Sequence, residues 1–141
     1  MADRQELVDA IAGFGLFADV DAAGMDRIAE RAVEVEFAAD HVIARQGEIG
    51  TGFFVIATGG ARVVRDGKVI ARLGPGDFFG ELSVLDGQPR VAQVVADGPT
   101  TCLGLASWDF EAVIRDEPAV ALAVMRGLAR RLRDVTEGPN H

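Results

Sequence analysis

Apolar positions follow two different periods along this chain, and the change of period divides it into three parts. Leu7, Val8, Ile11 and Ala12 recur at helical spacing between Arg4 and Ala12. Gly13 and Gly15 end that helix, and Phe14, Leu16 and Phe17 are predicted to plug the core from a tight turn. A second helix is predicted from Asp21 to Ala32, with Asp21 as its N-cap and Met25, Ile28, Ala29 and Ala32 on one face. Helices therefore occupy 4–32. From Val33 to Ser107 the pattern becomes short β-type runs. Turns separate them near Ala39-Asp40, Gly47 to Gly52, Gly59-Gly60, Asp66-Gly67, Gly74 to Gly76 and Asp97-Gly98. Asp66-Gly67, between Val63-Val64-Arg65 and Lys68-Val69-Ile70, is a two-residue hairpin signal. Many short strands at this spacing imply a sandwich, a barrel or a roll.

The helical period returns after Ser107. Ser107 is predicted to cap a short helix from Trp108 to Arg115, with Asp109 favourable in its first turn. Pro118 suits the first turn of a long helix running to about Val135. Leu122, Met125, Ala129 and Leu132 form one stripe, with Val124, Leu128 and Val135 beside it. So wide a face either packs on the protein's own strands or also serves as a dimer seam. The remaining tail, 136–141, is expected to fray.

Length and composition narrow the function more than the fold. The 141 residues suit one domain with one core, and a hydrophobic share of 49% excludes general disorder. A net charge of −8 argues against a nucleic-acid surface yet allows a locally positive anion pocket. The single cysteine, Cys102, sits in a strand-like run and reads as a small core residue rather than a reactive thiol. His41 and His141 with one cysteine cannot build a metal site, so no metal is expected. No apolar run is long enough to span a bilayer and no signal peptide is visible, so the expected location is the cytoplasm. No Ser/His/Asp or Cys/His constellation suggests catalysis.

The candidate chemistry lies between Phe78 and Ala92. Gly80 opens a short apolar turn, Glu81 follows at once, and Arg90 arrives nine residues later behind Pro89. If this stretch makes a helical turn, its first N–H groups lack intrahelical partners and form an anion site, and Gly80 leaves room for a phosphate. Arg90 supplies a two-pronged cationic grip. Glu81 either accepts a hydrogen bond from a sugar hydroxyl or holds an arginine. The alternative is a capped turn in which Glu81 and Arg90 form an ordinary ion pair.

Phe79-Gly80-Glu81-Leu82-Ser83 and Pro89-Arg90-Val91-Ala92 closely resemble the phosphate-binding cassette of the cyclic nucleotide-binding domain family. The resemblance extends from about Leu16 to Leu132. Phe37 to Glu48 looks like that family's strand, turn and strand, and Phe53 to Val63 like its next hairpin. Ala39 and Val91 depart from it, replacing a usual glycine and a usual alanine, serine or threonine.

The resemblance implies a mainly β fold, an eight-stranded β-roll (a double-stranded β-helix or jelly-roll) over 33–107. Helices flank it at 4–32 and 108–135, making one cyclic nucleotide-binding domain of 1–141. It assigns the phosphate to Arg90 and to backbone N–H groups of Leu82, Ser83 and Val91 or Ala92. Ser83 either adds its hydroxyl or caps the turn, Glu81 takes the ribose hydroxyl, and Phe79 and Gly80 belong to the same phosphate-ribose site. Ile70, Ala71 and Leu73 are implied for the base. Arg131 either pairs with Glu81 or belongs to a solvated helix end, and Thr136 contacts either base or partner subunit. Valine at 91 lacks a group for guanine, so cyclic AMP is expected over cyclic GMP. The implied protein is a bacterial-type sensor without catalytic activity, relaying through an unidentified effector protein or domain, with a homodimer possible through the long helix. The chain stops at His141, where the bacterial catabolite activators continue into a DNA-binding domain, so direct DNA contact is not expected. A roll of the same fold that serves only as an interaction module is the competing expectation.

Overall fold

The computed structural model describes residues 6, 9, 12, 14–48, 52–80, 85 and 87–136. Glu6, Asp9 and Ala12 are helical, and the rest of the first predicted helix lies outside the described residues. Helix α1 spans Ala22–Arg31. Its N-cap is Asp21, whose carboxylate accepts from the Gly24 N–H at 2.7 Å. Met25, Ile28 and Ala29 are buried, as their spacing requires, and Ala32 follows them into the core. Leu16 and Phe17, from the turn before it, are buried too.

Eight strands follow: β1 (Val33–Phe37), β2 (Val42–Ala44), β3 (Gly52–Thr58), β4 (Ala61–Arg65), β5 (Lys68–Leu73), β6 (Phe78–Phe79), β7 (Gln93–Ala96) and β8 (Thr100–Ala106). They form two four-stranded antiparallel sheets, ordered β1-β8-β3-β6 and β2-β7-β4-β5, the predicted roll. The β4–β5 hairpin closes through Asp66 and Gly67 at φ 52° and 81°, the left-handed pair that a two-residue turn requires. Strand alternation sorts the core into two. Phe53, Val55, Leu103 and Leu105 face the helices, where they meet Ile28, Phe110, Val113, Val120 and Val124. Ile56, Cys102, Ala61, Phe79 and Val94 fill the space between the sheets.

Helix α2 spans Ser107–Asp116 and α3 spans Pro118–Thr136. Ser107 is the first helical residue, not the cap. Ala106 caps α2 from extended backbone, with no side-chain hydrogen bond, because β8 runs directly into the helix. Glu117 alone separates the two helices: its N–H donates to Val113 O, and its carbonyl accepts from Val120 and Ala121. Its side chain is buried, 8% exposed, and accepts from Arg27 at 2.5 and 2.9 Å, tying α1 to the α2–α3 junction. That hydrogen bond raises the Arg27 pKa further above its ordinary value, so the pair is ionised on the arginine side at any ordinary pH.

The core-facing side of α3 differs from the predicted stripe. Val120, Val124 and Gly127 are buried, with Ala123 and Leu128 packed beside them, whereas Leu122, Met125, Ala129 and Leu132 face solvent. The face is chosen by fit as well as apolarity. A Cβ at Gly127 would lie 2.6 Å from the Phe78 ring, so only glycine lets the helix rest there.

Candidate functional site

Strand β6 delivers the candidate turn. Phe79 pairs with Phe54 and Phe78 with Val55, which fixes opposite directions for two adjacent phenylalanines. Phe79 stacks on Phe54 with ring centroids 5.2 Å apart between the sheets, while Phe78 turns to Phe53 and the helices. The chain then reaches Gly80 at φ 94°. A Cβ there would overlap the Gly52 carbonyl oxygen, so this position demands glycine on backbone grounds as well as for access. Glu81, Leu82 and Ser83 lie outside the described residues, as does any Arg131–Glu81 pair.

Arg90 is held by main chain on both sides. Its N–H donates to Glu48 O at 2.7 Å and its carbonyl accepts from the Gly47 N–H at 2.8 Å. Its guanidinium lies 3.4 Å from the Gly52 carbonyl oxygen that also underlies Gly80. One carbonyl at the start of β3 thus brings together two motifs ten residues apart.

These residues border a cavity of about 1490 Å³. Phe79, Gly80, Arg90, Val91 and Ala92 line it. So do Ile70, Ala71, Leu73 and Arg131, which the sequence could assign only by resemblance. Thr136 does not: it is exposed at the end of α3. Arg131 donates to the Phe78 carbonyl oxygen, and its guanidinium carbon sits 4.4 Å from the centre of the Phe78 ring. Hydrogen bonding and cation–π contact therefore dock α3 on the strand that enters the turn.

The cavity also receives Phe14, Gln88, Arg126 and Arg130. Phe14 reads in sequence as a core plug, and the sequence singles out neither Arg126 nor Arg130. Nothing local marks them, because only the docking of α3 and the N-terminal turn brings them to the cavity. Cys102 is fully buried, and loss of solvation pushes its thiol up to about 12, which fits packing and not reactivity. His41 stacks on Phe37 at 5.4 Å. Among the described residues no group of three His, Cys, Asp or Glu is placed to hold a metal, and no helix is long and apolar enough to cross a membrane.

The sequence profile of the cyclic nucleotide-binding domain matches residues 34–117, a span from β1 to the α2–α3 junction that contains all of the roll but Val33. The chain belongs to the cyclic nucleotide-binding domain family. It is 40% identical over 94 residues to the cyclic AMP receptor protein of Thermus thermophilus, covering 63% of this chain and 44% of that protein. With the CRP-like cAMP-activated global transcriptional regulator of Mycobacterium tuberculosis it shares 28% identity over 130 residues, 89% of this chain and 58% of that protein. The crystal structure of the Thermus thermophilus catabolite activator protein superposes with a TM-score of 0.78 at 34% identity, over 86% of this chain and 60% of that one. The chain spans about half the length of the curated relatives it matches, 44% and 58% of the two described.

Proposed function

We propose that this chain is a single sensor domain that binds cyclic AMP in the cavity beside Arg90 and relays its occupancy through α3. The observation that carries the reading is the cavity itself. It joins a cationic fork, a left-handed glycine turn and exposed apolar residues, Ile70 at 57% and Val91 at 60% exposure, in one place. That is the polar-and-apolar division a nucleotide presents. Glu81 for the ribose and the N–H groups of Leu82 and Ser83 for the phosphate complete the proposed set. Valine at 91 offers guanine no partner, and the relatives from Thermus and Mycobacterium are described by cyclic AMP. Both favour adenine.

The domain has no proposed catalytic role and acts in the cytoplasm on an effector protein or domain. Its net charge of −8 disfavours direct nucleic-acid contact. The exposed stripe Leu122, Met125, Ala129 and Leu132, spaced three and four apart along α3, is the proposed homodimer seam.

Isothermal titration with cyclic AMP and cyclic GMP tests the reading. Tighter binding of cyclic AMP is expected, with Val91→Thr moving the ratio toward cyclic GMP. An initial preference for cyclic GMP would overturn the base assignment. No heat with either nucleotide would favour the interaction module.

A further inference from the structure

The cavity wall contributed by α3 carries more positive charge than a cyclic mononucleotide uses. This helix holds Arg126, Arg130, Arg131 and Arg133 against Asp134 alone, within a chain whose net charge is −8. Arg131 is committed to Phe78. Arg126 and Arg130 are exposed, border the cavity, and form no ion pair among the described residues.

Two ordinary explanations fail for this pair. Arginines four apart share a helix face and repel, and although Arg130 has Asp134 four residues on, Arg126 has no acidic residue three or four positions away to offset it. Favourable interaction of a cation with the helix dipole is confined to the last turn, and Arg126 sits near the middle of Pro118–Thr136. Asp19, Asp77 and Asp134 also border the cavity, but six arginines do, so the surplus charge is better matched by something that enters it. Size agrees: about 1490 Å³ exceeds the roughly 300–1,000 Å³ of common small-molecule pockets. Arg90, on the roll side, already answers the single negative charge of a cyclic mononucleotide.

We propose that Arg126 and Arg130 form a second anion subsite in this cavity, so that it accepts a nucleotide ligand bearing two phosphodiesters, of the cyclic dinucleotide class. The first phosphate lies at Arg90 and the glycine turn, and the second at α3. This rests on the nucleotide-binding reading and extends it from one charge to two.

The test compares cyclic AMP with cyclic di-AMP by isothermal titration on the full chain, in the parent and in R126Q/R130Q. Glutamine keeps helix propensity while removing both charges. The ratio of the two Kd values is expected to move against the dinucleotide by about tenfold or more, the scale of one charge-assisted contact. R126K/R130K, which keeps both charges, should retain most of the parent ratio. Equal weakening of both ligands would reduce the arginines to general attraction and overturn the subsite. So would a parent that binds cyclic AMP but not cyclic di-AMP. A parent that binds the dinucleotide and not cyclic AMP would remove the cyclic AMP reading and leave the subsite standing. Binding of neither would remove both.

Discussion

At Arg90 the main chain and the side chain have separate tasks. Backbone hydrogen bonds to Gly47 and Glu48 hold the residue in place whatever its side chain, so truncation should leave the local fold intact. The guanidinium, resting against the Gly52 carbonyl, is the part proposed to meet a ligand. No other basic residue lies between Arg72 and Arg115 in sequence, so no chain neighbour replaces it. Arg90→Ala or Arg90→Leu should weaken cyclic nucleotide binding at least tenfold, about 1.4 kcal/mol, read by titration calorimetry. Parent-like affinity in a folded variant would overturn the role given to this side chain.

The decisive contact between elements is α3 on β6. Phe78 is gripped from three sides: Phe53 at 5.6 Å, the Arg131 guanidinium over its ring, and the bare backbone of Gly127. In an exposed helix, Gly→Ala adds about 1 kcal/mol of stability. Here the new methyl would stand 2.6 and 2.8 Å from two atoms of a buried ring already held by Phe53 and Arg131, although Phe78 also borders the cavity. Steric cost should win. Gly127→Ala is expected to lower the melting temperature, and a rise on thermal denaturation would show that the ring yields more easily than this packing implies.

For the molecule as a whole, the question is what moves. The hydrogen-bonded roll is stiff, whereas Glu117 is a one-residue joint between two helices, with Pro118 restricting the backbone before it. A ligand shifts such a joint only by binding one arrangement better than the other. Hydrogen exchange with and without cyclic AMP should therefore show added protection both in 80–92 and along Pro118–Thr136. Protection confined to 80–92 would mean binding without relay through α3. The outward stripe gives a second expectation at this scale: sedimentation should show a dimer that Leu132→Glu, at a residue 67% exposed in the single chain, drives to monomer. A parent that sediments as a monomer would rule out the seam.

Periodicity determined the elements themselves. Asp21 as a cap, Asp66-Gly67 as a hairpin turn and Pro118 as a helix start are local signals, because each rests on the conformation of a few adjacent residues. The Gly80 and Arg90 motifs were equally legible, since their residue types and spacing are carried in one short stretch. Which face of α3 turned inward was not. Several faces of that helix are apolar enough to bury, and the choice fell to Gly127, whose missing side chain matters only because Phe78 stands opposite it, 49 residues earlier. Likewise no spacing announced that Arg126, Arg130 and Phe14 would join the cavity of Arg90. Chain-local chemistry selects strands, turns and motifs, but steric complementarity between distant segments decides which surfaces meet, and so what lines the cavity.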